Sequence, residues 1–460
     1  MNRPELSLGS VDFLASAEYC NRPPMAPAVM FAIDVSVTAV RGGLLHATVQ
    51  AIRDIIEVLG RPGRDERTKV GIITFDSVVH FYNLATDVDG DIPGMAVLGD
   101  IEDPFLATTS SLVCLKDKKH NIIKLLDALP GLFQNTQVGE AAAGAAVRAA
   151  SLALASNGGR VICSFASPPT LGIGKLARLD DQAAIGTNRE AKLYSVDCKF
   201  YKDLAVECCQ TQVSVDFFAC TGLYCDLASM SAICRDTGGQ LHYLPRFGQD
   251  NGASFYKLIA EVTRSATRTS GYEAVLRVRC SQGLAVHHHL GSFHKTVEGD
   301  IEFPAIDSDK ALCVTFKIDS DITDRKDAAI QCALLYTAQD GSRRIRVHTI
   351  SIPVTDSIST IFKSADLDCV ISTMAKQSVV ESLKYSIESS RADIFKKCVQ
   401  MLFIYRKYCA TNPAPGQLIL PESLKLLPLY TLAMMKCKVL NLNHKTQNPN
   451  TLNYVIYSKV

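Results

Sequence analysis

Apolar residues divide the chain into three stretches of different period. From residue 26 to 268, short near-continuous apolar runs alternate with segments whose apolar residues recur every three or four positions. The runs at 27–36, 68–75, 160–165 and 213–219 have the length and the β-branched or aromatic content of strands buried on both faces. Shorter ones stand at 79–84 and 240–244. Between them, Leu44, Val49, Ile52, Ile55, Ile56 and Leu59 carry helical spacing over 43–60. Similar patterns cover 117–130, 138–155, 226–237 and 253–267. Strands alternating with helices predict a doubly wound α/β domain, a mostly parallel sheet covered on both faces. Sheets of that kind place ligand sites beyond the carboxyl ends of their strands, where Asp34 stands.

At Gly271 the period shortens. Residues 272–280, 284–290, 310–318, 328–338 and 344–354 read as strands broken by turn signals such as Gln339-Asp340-Gly341-Ser342, without helical spacing between them. Residues 271–355 are therefore expected to form an antiparallel β-sandwich. From 357 to about 440 the spacing is helical again, as at Ile394, Cys398, Met401, Leu402 and Tyr405. A break at Asn412-Pro413-Ala414-Pro415-Gly416 separates two helical groups. The Asn-rich stretch 441–460 is poorly patterned, and residues 1–25 are an N-terminal segment expected to join the sandwich.

Composition narrows the class. The net charge of +1 supplies no whole-chain field for nucleic acid or acidic substrates. Residues 357–460 alone hold 13 Lys and Arg against 6 Asp and Glu, an excess suited either to a solvated helical surface or to an anionic membrane face. The 16 cysteines are spread over 460 residues, many inside apolar runs, and no two have Cys-x-x-Cys spacing. That usage predicts reduced thiols and excludes zinc-knuckle and thioredoxin motifs. The opening Met1-Asn2-Arg3-Pro4-Glu5 does not read as a signal peptide, and the most apolar stretch, 141–155, is too short to span a bilayer. A soluble intracellular protein with peripheral membrane contact is expected.

Candidate chemistry is sparse. Asp34-x-Ser36-x-Thr38 resembles the Asp-x-Ser-x-Ser/Thr motif with which von Willebrand A domains hold Mg²⁺. A hard cation needs further oxygen ligands, usually a second carboxylate. The end of the fourth strand, Ser164-Phe165-Ala166-Ser167-Pro168, offers none, and Thr108 or Thr109 adds only a hydroxyl. Asp34 and Ser36 are read instead as caps of the following loop and helix. The carboxylates Asp87, Asp89, Asp91, Asp100, Glu102 and Asp103 do not fit a calcium-loop spacing and read as a solvated loop. In His287-His288-His289 the outer two are expected on one strand face, as structural histidines. Gly172-Ile173-Gly174-Lys175 lacks the spacing of a phosphate loop, and no Gly-x-Ser-x-Gly or His-Glu-x-x-His occurs. Arg277 and Arg279 share a strand face, as do Arg344 and Arg346. Paired guanidinium forks on a rigid sheet suit carboxylate capture.

Several strings carry a resemblance. Glu18-Tyr19-Cys20-Asn21-Arg22-Pro23-Pro24, Phe31 to Ser36, Arg67 to Ser77, His80 to Leu84, Phe200 to Ala205, Asp226 to Ser229 and Arg343 to Thr349 look like the cargo-adaptor subunit of the COPII inner coat. The resemblance runs in order from about residue 9 to 440. It implies a von Willebrand A-like trunk, a β-sandwich and a helical domain, and a function in binding without catalysis. A subunit of this kind pairs through its trunk with the GTPase-activating coat subunit and is recruited to endoplasmic reticulum membranes by a small GTPase. It binds sorting signals in cargo tails and SNARE proteins. Carried onto this sequence, the acidic-signal pocket of the family falls on Arg277 and Arg279, with Arg67 lining the same region. The family has a four-cysteine zinc ribbon before the trunk and a gelsolin-like domain at its end. This chain is expected to begin after the first, to reach only the start of the second, and to hold no cofactor. The GTPase-activating subunit of the same architecture and a metal-dependent von Willebrand A module are the alternative readings.

Overall fold

A computed structural model describes residues 3–20, 23–87, 92–176, 195–248, 252–296, 299–322, 326–410, 414–437 and 439–440. The stretch 441–460 and the residues Asn21, Arg22, Asp89, Asp91, Asn412 and Pro413 singled out above lie outside those described. A short helix α1 (Pro4–Ser7) and strand β1 (Ser10–Leu14) lead in. The α/β domain follows with β2 (Ala28–Asp34), α2 (Val37–Arg41), α3 (Leu44–Leu59), β3 (Lys69–Phe75), β4 (Val79–Tyr82), β5 (Met95–Leu98) and β6 (Leu112–Cys114). It continues with α4 (Leu115–Phe133), α5 (Ala143–Leu154), β7 (Gly159–Phe165), α6 (Phe200–Gln210), β8 (Val213–Ala219), α7 (Leu227–Asp236), β9 (Leu241–Tyr243) and α8 (Ala253–Thr267).

Its sheet runs in the order β5-β4-β3-β2-β7-β8-β9, with β6 beside β3. The strands from β3 to β9 are parallel; β4, β5 and β6 are antiparallel additions. Alternation within β2 shows why its whole run is apolar. Ala28, Met30 and Ala32 face a core built with α5, α6 and α7, whereas Val29, Phe31 and Ile33 face one built with α3, α4 and α8. The four long strands and most helices follow the sequence reading. The strands β5 and β6 and the helix α6 were not anticipated.

The second unit holds β10 (Ser270–Cys280), β11 (Leu284–Leu290), β12 (His294–Lys295), β13 (Ile301–Asp307), β14 (Cys313–Ile318), β15 (Asp327–Ala338) and β16 (Arg343–Pro353). Six strands form one antiparallel sheet, β1-β16-β15-β10-β13-β12, and β11 pairs with β14 in a second. The N-terminal strand β1 thus closes one edge of the six-stranded sheet. The sequence reading missed β13, whose Pro304 argues against a central strand. Pro304 sits opposite Glu273, a left-handed residue (φ +50°) whose carbonyl accepts from Arg343 Nη1 at 2.8 Å, so this position is served from outside the β10–β13 ladder. The chain ends, among the described residues, in α9 (Ile358–Ser364), α10 (Leu367–Lys384), α11 (Ile387–Cys409) and α12 (Leu427–Lys436).

A buried charged seam fixes the sandwich to the α/β domain. Arg160 on β7 donates to the Asp216 carboxylate on β8 at 2.8 Å, and both side chains are out of water. Asp216 also accepts from the Gln240 N–H at 2.7 Å and from the Ser265 hydroxyl of α8. Arg268, just after α8, meets Asp307 of β13 at 2.8 Å. Burial pushes the Asp216 carboxyl up, but Arg160, Arg268 and its hydrogen bonds outweigh burial and hold it below the usual range. Gly238 closes the seam: its φ is +73°, and a Cβ there would collide with the Ala305 carbonyl oxygen.

Candidate functional site

Arg277 and Arg279 stand near the end of β10 and are exposed, while Leu276 and Val278, which alternate with them, turn into the sandwich core. Cross-strand pairing builds their surroundings. Ala333 and Gln331 of β15 lie opposite them, followed by Val347 and Thr349 of β16. One step along, Val275 faces Leu335, which faces Ile345; β1 then adds Val11 beside Val347 and Phe13 beside Ile345. The result is a sheet face with two guanidiniums at one side and a strip of buried or half-buried apolar side chains at the other.

The two arginines differ in their partners. The register puts Asp300 directly across from Arg277, since Leu276 pairs with Ile301. The Arg277 Nε donates to Asp300 Oδ1 at 2.5 Å and its Nη2 to Oδ2, a bidentate clasp that fixes the side chain. Arg279 has no ion pair among the described residues. Among the described residues, one positive charge on this face thus has no ion-pair partner, and a carboxylate arriving at Arg279 finds Arg277 already oriented beside it. Asp300 is a member of the site that the sequence reading did not identify.

Arg67 is placed elsewhere. It is clasped by Asp65, with Nη2 to Oδ2 at 2.6 Å, and donates from Nη1 to the Pro24 carbonyl at 3.1 Å. Burial raises the Asp65 carboxyl, but the Arg67 bonds and charge hold it below its ordinary value. The Arg67 head rests against the β15–β16 turn, where a Cβ on Gly341 would lie 2.6 Å from Nη2. Ala338 before that turn pairs with Gly271, and Arg277 is six residues further along β10. At about 3.3 Å per residue, Arg67 and Arg277 are about 20 Å apart. The structure brings Arg277 and Arg279 together and does not bring Arg67 to them.

The other singled-out residues have structural work. Asp34 is buried; its Oδ1 accepts from the Ser36 N–H at 2.7 Å, and Oδ2 accepts from Ala166 and Ser167 N–H at 2.8 and 3.0 Å. It straps the ends of β2 and β7 together, while the Ser36 hydroxyl caps α2 and meets Ser167 Oγ at 3.0 Å. Burial still raises the Asp34 carboxyl against those hydrogen bonds. Arg344 and Arg346 share Asp12 of β1; Arg344 also reaches Asp340 at 2.9 Å, and Arg346 lies over the Tyr336 ring. Gly174 packs on Phe200, and its carbonyl accepts from the Tyr201 hydroxyl at 2.9 Å. Asp87 pairs with Lys118, and Asp100 accepts from the Glu102 and Asp103 N–H groups in its own turn. The histidine expectation needs correction. A bulge between Val286 and His288 breaks the alternation, so His287 and His288 are both exposed with ring centroids 3.7 Å apart, and His289 turns inward toward Phe293.

Three family models match in succession: the Sec23/Sec24 trunk domain at residues 24–264, the beta-sandwich domain at 271–355 and the helical domain at 366–457. The chain is 41% identical over 440 residues to protein transport protein SEC24 B of Arabidopsis thaliana, covering 94% of this chain and 39% of that protein. It is 36% identical over 438 residues to protein transport protein Sec24A of Homo sapiens, covering 95% and 39%. The crystal structure of the human COPII-coat protein Sec24c superposes with a TM-score of 0.91 at 32% identity, covering all of this chain and 60% of that one. The chain spans about two fifths of the length of the curated relatives it matches. With these three domains in succession, its trunk match alone covering more than half of its length, the chain belongs to the Sec23/Sec24 family.

Proposed function

We propose that the chain acts as a cargo adaptor of the COPII coat: a binding scaffold, without catalysis, that captures acidic sorting signals on the face carrying Arg277 and Arg279. The observation that carries this reading is the juxtaposition on one rigid sheet of the Asp300-clasped Arg277, Arg279 without an ion pair among the described residues, and the apolar strip Leu335, Ile345, Val347 and Phe13. A carboxylate of an extended tail pairs with the Arg279 fork while a neighbouring apolar side chain covers the strip. Charged recognition sets the register and apolar burial adds affinity. Cargo membrane-protein tails and SNARE proteins are the ligands of this class. Arg67 would contact only a longer signal, since about six extended residues are needed to cover 20 Å.

Pairing with the GTPase-activating coat subunit through the α/β domain, and recruitment by a small GTPase acting through that partner, complete the proposal. The Sec24 names of the relatives, and the likeness to a structure of a COPII-coat protein Sec24c, support the adaptor rather than the GTPase-activating reading. No helix among the described residues is long and apolar enough to cross a membrane. Peripheral contact of the basic C-terminal region with the anionic face of the endoplasmic reticulum membrane, for transport to the Golgi, agrees with the 13 Lys and Arg against 6 Asp and Glu of residues 357–460. We assign no metal to Asp34, because three backbone N–H groups already use its two oxygens.

Light scattering on a sizing column, with the GTPase-activating subunit added, tests the pairing. A stable one-to-one complex is expected; separate elution at micromolar concentration contradicts it. Stimulation of GTP hydrolysis by this chain alone would move the assignment to the GTPase-activating subunit.

A further inference from the structure

Among the described residues, the strand β5 is an edge of the eight-stranded sheet, paired only with β4. Its register is Tyr82 with Met95, His80 with Val97, and Phe81 with Ala96. The Asn83 N–H donates to the Gly94 carbonyl at 2.8 Å, which makes Asn83–Gly94 a hydrogen-bonded pair. Such pairs alternate along an antiparallel ladder. Phe81–Ala96 and Val79–Leu98 are then the bonded pairs, and the N–H and C=O groups of Met95 and Val97 point away from β4 into the open edge. The side chains of the same two residues are exposed, at 50% and 54%, while Leu98 is buried in the core.

Soluble proteins usually blunt an edge of this kind with Lys, Pro or an inward charge. The residues of β5 are Met-Ala-Val-Leu, with none of these. The edges at β9 and β12 are only three and two residues long. The surrounding charge has one sign. From Val70 to Leu115 the sequence has seven Asp and Glu and no Lys or Arg. Asp100, Glu102 and Asp103 follow β5 directly, are exposed and make no ion pair among the described residues. Asp100 is three residues from Val97, within about 11 Å along the chain.

We infer that the open edge of β5 is a docking surface for an extended segment of a partner protein that carries apolar side chains at alternate positions and Lys or Arg beside them. The backbone groups of Met95 and Val97 supply a template for a further strand, their side chains supply the apolar contact, and the carboxylates beyond Leu98 select a cationic occupant. This surface lies on the α/β domain, away from the arginine face of the sandwich, and the inference does not depend on the adaptor reading.

The test uses the whole chain and a fluorescein-labelled eight-residue peptide alternating Lys with Val and Ile. Fluorescence anisotropy at low salt is expected to show saturable binding that weakens at least tenfold between 50 and 300 mM NaCl. Hydrogen exchange is expected to slow at the Met95 and Val97 amides. Val97→Pro removes one outward N–H and leaves the β4 ladder intact, so it should weaken the peptide at least tenfold without changing the thermal midpoint. Met95→Lys keeps the backbone template and places a positive charge on the edge, so it should weaken the same cationic peptide. Binding unchanged in Val97→Pro, or protection mapping outside β5, overturns the inference. So does self-association of the chain that Val97→Pro abolishes, which would make a second copy the occupant.

Discussion

Replacing Asp216 by Ala probes the seam that holds the sandwich, and with it the arginine face, against the α/β domain. Asp216 and Arg160 are both buried, and the carboxylate collects Arg160, the Ser265 hydroxyl and the Gln240 N–H. Removing it leaves the Arg160 guanidinium in a dry site without its acid, a loss of about 3–5 kcal/mol. For a domain of this size about 2–4 °C of melting temperature corresponds to each kcal/mol, so the α/β transition should fall by roughly 6–20 °C. Calorimetry of wild type, Asp216→Ala, and the double substitution Arg160→Met with Asp216→Leu separates charge from shape. The double variant removes both ions together and should recover most of the loss. The pH dependence has a definite sign. The folded Asp216 carboxyl titrates below its unfolded value of about 3.9. Its contribution is therefore present above about pH 4 and is lost as pH falls through the folded pKa. Asp216→Asn should flatten that acid limb. A fall of less than 2 °C in Asp216→Ala, or a double variant no better than the single, would refute the reasoning.

Three further outcomes follow from the same geometry. Gly238→Ala meets both a left-handed backbone and the Ala305 carbonyl oxygen, so it should destabilise by more than about 1 kcal/mol in denaturant unfolding, whereas Gly222→Ala, with open space at its Cβ, should be near neutral. Asp34→Ala orphans the N–H groups of Ser36, Ala166 and Ser167; at about 1–3 kcal/mol for each buried group left unpaired, a loss of at least about 3 kcal/mol is expected. Added Mg²⁺ should leave the wild-type midpoint where it is, and a Mg²⁺-dependent rise that Asp34→Ala removes would restore the metal-module alternative. Arg277→Ala or Arg279→Ala should weaken an acidic peptide by about 1.5–3 kcal/mol, the scale of a charged hydrogen bond, as read by titration calorimetry.

What the sequence made legible follows from where each element is buried. The strands β2, β3, β7 and β8 are covered on both faces, so their continuous apolar runs announce them. The pair Arg277 and Arg279 was readable from the two-residue period of β10 alone. Elements whose signals conflict were lost. In β13 the proline sits opposite the left-handed Glu273, which only the neighbouring strand reveals. The helix α6 has no capping side chain at Lys199 and begins with two aromatics, so its Tyr201, Leu204, Ala205 and Cys208 stripe did not announce a start. The Asp300 clasp on Arg277 depends on that missed β13 pairing, since the two residues are 23 apart in the chain. The placement of Arg67 beside the β15–β16 turn depends on how the two domains meet, which no local pattern encodes.

The arginine face carries the functional assignment, and one titration addresses it directly. An extended peptide of about eight residues with two carboxylates next to an apolar residue is titrated into the chain, alongside the same peptide with Asn and Gln in place of the acids. Saturable binding of the acidic peptide, loss with the neutral one, and loss again in Arg279→Ala at unchanged melting temperature are the predicted results. Equal binding of both peptides, or an affinity that Arg277→Ala and Arg279→Ala leave untouched, would contradict the claim that this face reads acidic signals.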